Sequence, residues 1–132
     1  FIERRAEKSY DKFNDIGGGL VDVIRTSDIL RDDLKVIFTS HSENTGDRIN
    51  PYYKMKTLGK MLDNTITLEG LFTYVFFTAI QRDDDGNPSY KFMTNSDGTT
   101  TGKSPMGLFN DLYIDNDLKL VIDRIEEYNS ED

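Results

Sequence analysis

Three stretches of the sequence carry residue types at spacings that can do chemistry. The first is Gly98-Thr99-Thr100-Thr101-Gly102-Lys103-Ser104. A glycine-rich run ending in Gly-Lys-Ser is how a phosphate-binding loop reads. Its backbone N–H groups cradle phosphates, its lysine reaches the terminal phosphates and its hydroxyl holds Mg2+. The spacing here is one residue short. The pattern G-x-x-x-x-G-K-[ST] needs its first glycine at 97, where Asp97 stands, and Pro105 follows at once. An aspartate there would turn negative charge towards a bound phosphate. The segment is therefore expected to be a polar loop that only looks like a nucleotide cradle.

The second stretch is Asp83-Asp84-Asp85-Gly86-Asn87. A calcium loop of the EF type needs glycine at its sixth position and glutamate at its twelfth. Counted from Asp83, those positions are Pro88 and Thr94. An acidic hairpin turn is the better reading, because Asp-Gly between two apolar runs is a strong hairpin signal. No metal site is expected. The third is His41, the only histidine, which has Thr39, Ser40, Ser42 and Glu43 around it. It follows Val36-Ile37-Phe38, an apolar run without polar alternation. Such a run suits a strand buried on both faces. Open α/β sheets place ligands at the carboxyl ends of such strands, so His41 is the candidate catalytic residue.

The elements that must position these residues follow from periodicity. Tyr10, Phe13, Ile16, Leu20, Val23 and Ile24 recur at helical steps, with Gly17-Gly18-Gly19 interrupting them. Either two helices meet at a hinge there, or one helix packs closely on a neighbour. Ser27 or Asp28 starts a short turn. Val36–Ser40 and Thr73–Ile80 read as inner strands, and Tyr90–Thr94 returns antiparallel to the second. Residues 44–53 read as loop, Met55, Leu58, Met61 and Leu62 have helical spacing, and residues 95–112 are loop-like. A last helix runs from about Asn116 to Tyr128, capped by Asp115 or Asn116, with Leu118, Val121, Ile122, Ile125 and Tyr128 as its apolar stripe. The expected fold is a single α/β domain over residues 1–132, a small sheet flanked by helices with a β-hairpin.

Composition excludes several function classes. Lys and Arg total 16 against 24 Asp and Glu, a net charge of −8. That is the wrong sign for a surface that grips nucleic acid along its whole length, although a local basic patch remains compatible. With no cysteine and one histidine, thiolate-ligated metals and two-histidine sites are excluded. No apolar run reaches the ~18 residues of a membrane span, so no membrane partner is expected. The sequence opens Phe1-Ile2-Glu3-Arg4-Arg5, without an initiating methionine or a leader pattern. It is expected to be a piece of a longer protein.

Several segments together carry a family likeness. They are Val36-Ile37-Phe38-Thr39-Ser40-His41-Ser42-Glu43, Lys56-Thr57-Leu58-Gly59-Lys60-Met61-Leu62-Asp63 and Leu68-Glu69-Gly70-Leu71-Phe72-Thr73. Ser96-Asp97-Gly98, Lys103-Ser104-Pro105-Met106-Gly107-Leu108-Phe109 and Ile114-Asp115-Asn116-Asp117-Leu118 complete the set. From Tyr10 onward the chain resembles the carboxyl-terminal half of RecA-like P-loop ATPases of bacteriophages and prophages.

The resemblance implies a partial RecA-like sheet that lacks the Walker A and Walker B motifs. It also implies a parent that uses ATP and Mg2+ in DNA recombination or replication in the cytoplasm of a bacterial host. This chain alone would bind neither ATP nor Mg2+ and would be inactive. By the same resemblance, His41 senses the γ-phosphate or orients water, with Thr39, Ser40 and Glu43 as nucleotide-sensing neighbours. Lys56, Lys60 and Lys103 would contact DNA or a neighbouring subunit's nucleotide, so DNA and further copies of the chain are the expected partners. The alternative reading is a non-catalytic acidic module that binds a basic protein.

Overall fold

A computed structural model describes residues 9–57 and 67–130, with side chains from Gly17 onward. It is an α/β structure with two helices and two small antiparallel sheets among those residues. In chain order the elements are helix α1 (Ser9–Thr26), strands β1 (Ser42–Asn44) and β2 (Tyr53–Met55), strands β3 (Phe77–Arg82), β4 (Pro88–Met93) and β5 (Tyr113–Asp115), and helix α2 (Leu118–Ser130). Short 3-10 turns occupy Ser27–Ile29 and Leu68–Leu71. The chain separates into two compact units. The first comprises Phe1–Glu43 and Met55–Phe72, the second Asn44–Lys54 and Thr73–Asp132.

In the first unit α1 runs through its three glycines unbroken. A Cβ added at Gly18 or Gly19 would meet nothing within 4 Å. These two glycines are therefore neither a hinge nor a close approach, and they cost the helix ~1 kcal/mol each relative to alanine. The helix forms because tertiary burial outweighs that cost. Val21, Ile24 and Leu68 make a small core, with Leu20, Phe38, Met55 and Phe72 against it. Val23, expected on the same stripe, is exposed. At ~100° per residue, it lies on the far flank of the arc that holds Leu20, Val21 and Ile24. The side chains of Tyr10, Phe13 and Ile16, and the run Leu58, Met61 and Leu62, lie outside the described residues. At the end of the helix the hydroxyls of Thr26 and Ser27 donate to the carbonyls of Asp22 and Ile24. The Ile24 carbonyl is one of the last four that a helix terminus otherwise leaves open, and Thr26 bonds back one turn to a carbonyl inside the helix.

The inner strand expected at Val36–Ser40 is not there. The segment is irregular, and Val36 and Ile37 stand 42% and 53% exposed. Only Phe38 turns inward, its ring set edge-on to Phe72 at 5.4 Å. An apolar run specifies the surroundings a strand prefers, and a strand still needs a neighbour to bond with. Pairing begins one step later, in the polar stretch expected to be the strand's end and the loop beyond it. There β1 and β2 form a two-stranded ribbon.

In the second unit β3, β4 and β5 form an antiparallel sheet with β4 in the centre. Phe77 pairs with Met93 and Arg82 with Pro88, and Lys91 pairs with Asp115. The hairpin is the one expected, but its first strand starts at Phe77 rather than Thr73. That strand has an open face rather than two buried ones, with Ile80 at 60% exposure. Phe92, Met93, Thr94, Leu108 and Val121 are buried, and the Phe76 ring lies 6.1 Å from Phe92 and 5.7 Å from Phe109. Thr94 is fully buried because its hydroxyl donates to the carbonyls of Asp111 and Leu112. Asp117, not Asp115 or Asn116, caps α2, with its carboxylate accepting from the Lys119 N–H at 2.8 Å. Val121 is the buried centre of the helix's apolar stripe, and Leu118 is exposed. No described helix is long and apolar enough to cross a membrane.

Candidate functional site

The His41 cluster lies where the first unit's chain enters and leaves the ribbon. The Lys56 N–H donates to the His41 carbonyl at 2.7 Å. The Ser40 hydroxyl lies 3.0 Å from the His41 carbonyl and makes a longer contact, 3.5 Å, to the Lys56 carbonyl. Main-chain bonding thus fixes the two residues opposite each other while both side chains remain exposed. Thr39 and Ser40 are exposed beside them, and Glu43 is half-buried. Five of the expected site residues, Thr39, Ser40, His41, Glu43 and Lys56, therefore share one end of the ribbon. The means differ from the expectation, because His41 follows an irregular exposed segment and not a doubly buried strand. Lys60 lies outside the described residues. Lys103 belongs to the second unit, half-buried.

Most backbone donors of the loop around Lys103 are already used within the chain. The Gly98 N–H donates to Ser96 Oγ at 3.0 Å and the Thr99 N–H to Asp97 Oδ1 at 2.9 Å. The Thr101 N–H reaches the Tyr53 carbonyl at 3.1 Å, and the Gly102 N–H reaches Thr100 Oγ1 at 3.2 Å. Lys103 exchanges both of its backbone bonds with Val75, and the Ser104 N–H donates to Asn95 Oδ1 at 3.0 Å. A phosphate cradle needs those N–H groups pointing outward. In this chain they hold the loop together instead. Asp97 is committed too. Bonds from the hydroxyl and N–H of Thr99 hold its carboxyl below the usual range. The residues at 97–104 do not fit a nucleotide phosphate.

The acidic turn is equally self-contained. Asp83 accepts from the Asn87 side-chain amide at 3.0 Å, the Asn87 N–H at 2.8 Å and the Asp85 N–H at 3.1 Å. Gly86 takes φ +84° at the corner, a conformation that suits glycine. Among the described residues no three His, Asp or Glu side chains are grouped to hold a metal ion.

One concavity was not anticipated. An open groove of about 810 Å3 runs along α2 in the second unit, with Phe109, Asp111, Ile114, Leu120, Asp123 and Arg124 among its walls. Arg124 is tied to Glu127 at 2.7 Å and to the Leu108 carbonyl at 2.9 Å, and Lys119 is paired with Asp123. Asp111 and Asp117 add further carboxylates to the lining. The groove depends on where the 105–112 loop folds back on α2, and no local sequence pattern announces that. Comparison with known proteins found no matching family model, no matching curated protein and no matching solved structure.

Proposed function

We propose that the chain is part of a RecA-like ATPase that acts on DNA in phage recombination or replication. In this reading it supplies side chains that respond to bound nucleotide, while other segments of the parent hold ATP and Mg2+. The observation that carries the reading is the His41–Lys56 pairing. It gives an imidazole and an ammonium group a common, exposed position held by main-chain bonds, in segments that both belong to the resemblance. The inward bonding of the 98–104 loop supports the same division of labour, because it leaves phosphate binding to residues elsewhere.

Two experiments test it. The coding sequence upstream of Phe1 should contain a phosphate-binding loop followed by a strand ending in aspartate, and a start codon close to Phe1 would refute the reading. In the intact parent, His41→Ala should lower ATP turnover by ~10²–10³, as for loss of one positioned hydrogen bond in a transition state. Nucleotide affinity should be nearly unchanged. Unchanged turnover per folded molecule would overturn the assignment.

The groove along α2 favours a second reading, the acidic interaction module. Its apolar floor and surplus of carboxylates suit a basic, partly apolar peptide. Salt-sensitive binding of such a peptide, abolished by Asp111→Lys, would support it.

A further inference from the structure

Two Asp-Gly pairs, Asp85-Gly86 and Asp97-Gly98, stand at exposed bends in the second unit. Their backbones match, with φ +84° at Gly86 and φ +95° at Gly98. Both glycine N–H groups are engaged, Gly86 with the Asp83 carbonyl at 2.9 Å and Gly98 with Ser96 Oγ at 3.0 Å. A Cβ added at either glycine would meet nothing within 4 Å, so neither site is crowded. The two differ in the carboxylate. Asp97 Oδ1 accepts the Thr99 hydroxyl at 2.6 Å and the Thr99 N–H at 2.9 Å. The Asp85 carboxylate accepts no hydrogen bond among the described residues. We propose that Asp85 is a site of spontaneous isoaspartate formation, and that the fold protects Asp97 from the same reaction.

The reaction needs no cofactor. The Gly86 nitrogen attacks Cγ of the protonated Asp85 side chain and forms an N–Cγ bond. The amide hydrogen and the carboxyl OH leave as one water, and a cyclic succinimide remains. Water then opens the ring. Cleavage at Cγ restores aspartate. Cleavage at the main-chain carbonyl leaves the chain running through Cγ, one methylene longer, with the carboxylate on Cα. Glycine favours ring closure because it has no Cβ to obstruct it. The carboxyl must take up a proton and turn towards the next nitrogen. Asp97 is hindered on both counts, because Thr99 fixes its side chain and the same bonds hold its pKa below the ordinary value. Two such bonds should slow ring closure by roughly tenfold. This ageing chemistry is independent of the ATPase reading and is tested without nucleotide.

The folded chain and the same chain in guanidinium are aged side by side in mildly acidic buffer. Isoaspartyl methyltransferase with labelled S-adenosylmethionine marks the product, and peptide mapping assigns it to a position. In guanidinium both Asp-Gly pairs are unstructured and should accumulate isoaspartate at similar rates. In the folded chain Asp85 should exceed Asp97 by roughly tenfold. Thr99→Val removes the hydroxyl donor and keeps the shape of the side chain. Checked by its melting curve to be folded, it should raise isoaspartate at Asp97 severalfold and leave Asp85 unchanged. Equal rates at the two positions in the folded chain overturn the proposal, as does faster reaction at Asp97. So does a folded chain that forms no isoaspartate at Asp85 while the denatured chain does, or a folded Thr99→Val chain in which Asp97 stays as slow as before.

Discussion

Lys56 donates its backbone N–H to the carbonyl of His41 at 2.7 Å, so the two side chains expected to do chemistry are positioned by bonds that neither side chain makes. The position can therefore be emptied without unfolding its support. His41→Ala should leave the melting curve of the chain within ~0.5 kcal/mol of the parent, as for an exposed surface substitution. A clear drop in thermal stability would mean that the imidazole is structural.

Gly46 sits at the tightest point of the β1–β2 loop. A Cβ there would lie 2.1 Å from the Asn50 carbonyl oxygen and 2.6 Å from the Tyr52 nitrogen, both backbone atoms. The loop is otherwise tied by Asn44 Oδ1, which accepts from Gly46 and Tyr52. Gly46→Ala must push the loop apart. It should cost ~1–3 kcal/mol, in the range of overpacking strain, measurable by urea denaturation. The same substitution at Gly18 should stabilise the helix by ~0.5–1 kcal/mol.

Glu69 is 7% exposed and its carboxylate accepts the Met55 N–H at 2.7 Å. Glu69→Ala leaves that N–H without its acceptor and should destabilise the first unit by ~1–3 kcal/mol. Glu69→Gln keeps a carbonyl oxygen in place and should recover most of the loss. Equal loss in both variants would show that the charge, not the bond, is what matters.

Asp83 holds the hairpin turn, and hydrogen bonds from Asn87 lower its pKa below 3.8. A folded pKa below the unfolded one means the contribution is complete above about pH 3.8 and fades as the pH falls through the lower, folded value. Asp47, bonded to the N–H groups of Asn50 and Ile49, shifts the same way. The protection of the Asn87 amide against exchange, relative to an unstructured peptide at the same pH, should therefore hold from neutral pH down to about pH 3.8 and be lost only below it. Loss of that protection already at pH 5–6 would contradict the turn geometry.

The Ser104 hydroxyl is buried and has no hydrogen-bond partner among the described residues. Ser104→Ala removes a polar atom that makes no hydrogen bond and should be neutral or slightly stabilising in thermal denaturation. A large loss would require a water or ligand bound to that hydroxyl.

The parts legible in the sequence were those whose signals are local. Asp85-Gly86 marked the hairpin, the β-formers on either side marked β3 and β4, and three- and four-residue spacing marked α1 and α2. Strands β1, β2 and β5 have three residues each, too few to show an alternation. Val36–Phe38 misled because residue type reports a preferred environment, and that environment has to come from other backbone. His41 and Lys56 were legible as residue types, but their mutual position depends on the ribbon, which lies in a stretch of polar residues. The groove along α2 is a tertiary product of a loop folding back and left no trace in spacing.

The two units interleave along the chain: residues 44–54 leave the first, join the second, and the chain returns at Met55. The excursion is anchored where Tyr53 bonds to Thr99 at 2.7 Å and to Thr101 at 3.1 Å. Neither unit is thus a continuous stretch of gene. A stop codon or protease cut near residue 72 would strand residues 44–54 on the amino-terminal piece, away from Thr99 and Thr101, to which Tyr53 bonds. Dissecting this protein therefore calls for two non-covalent pieces added back together, or for a permuted gene order, rather than for a shorter one.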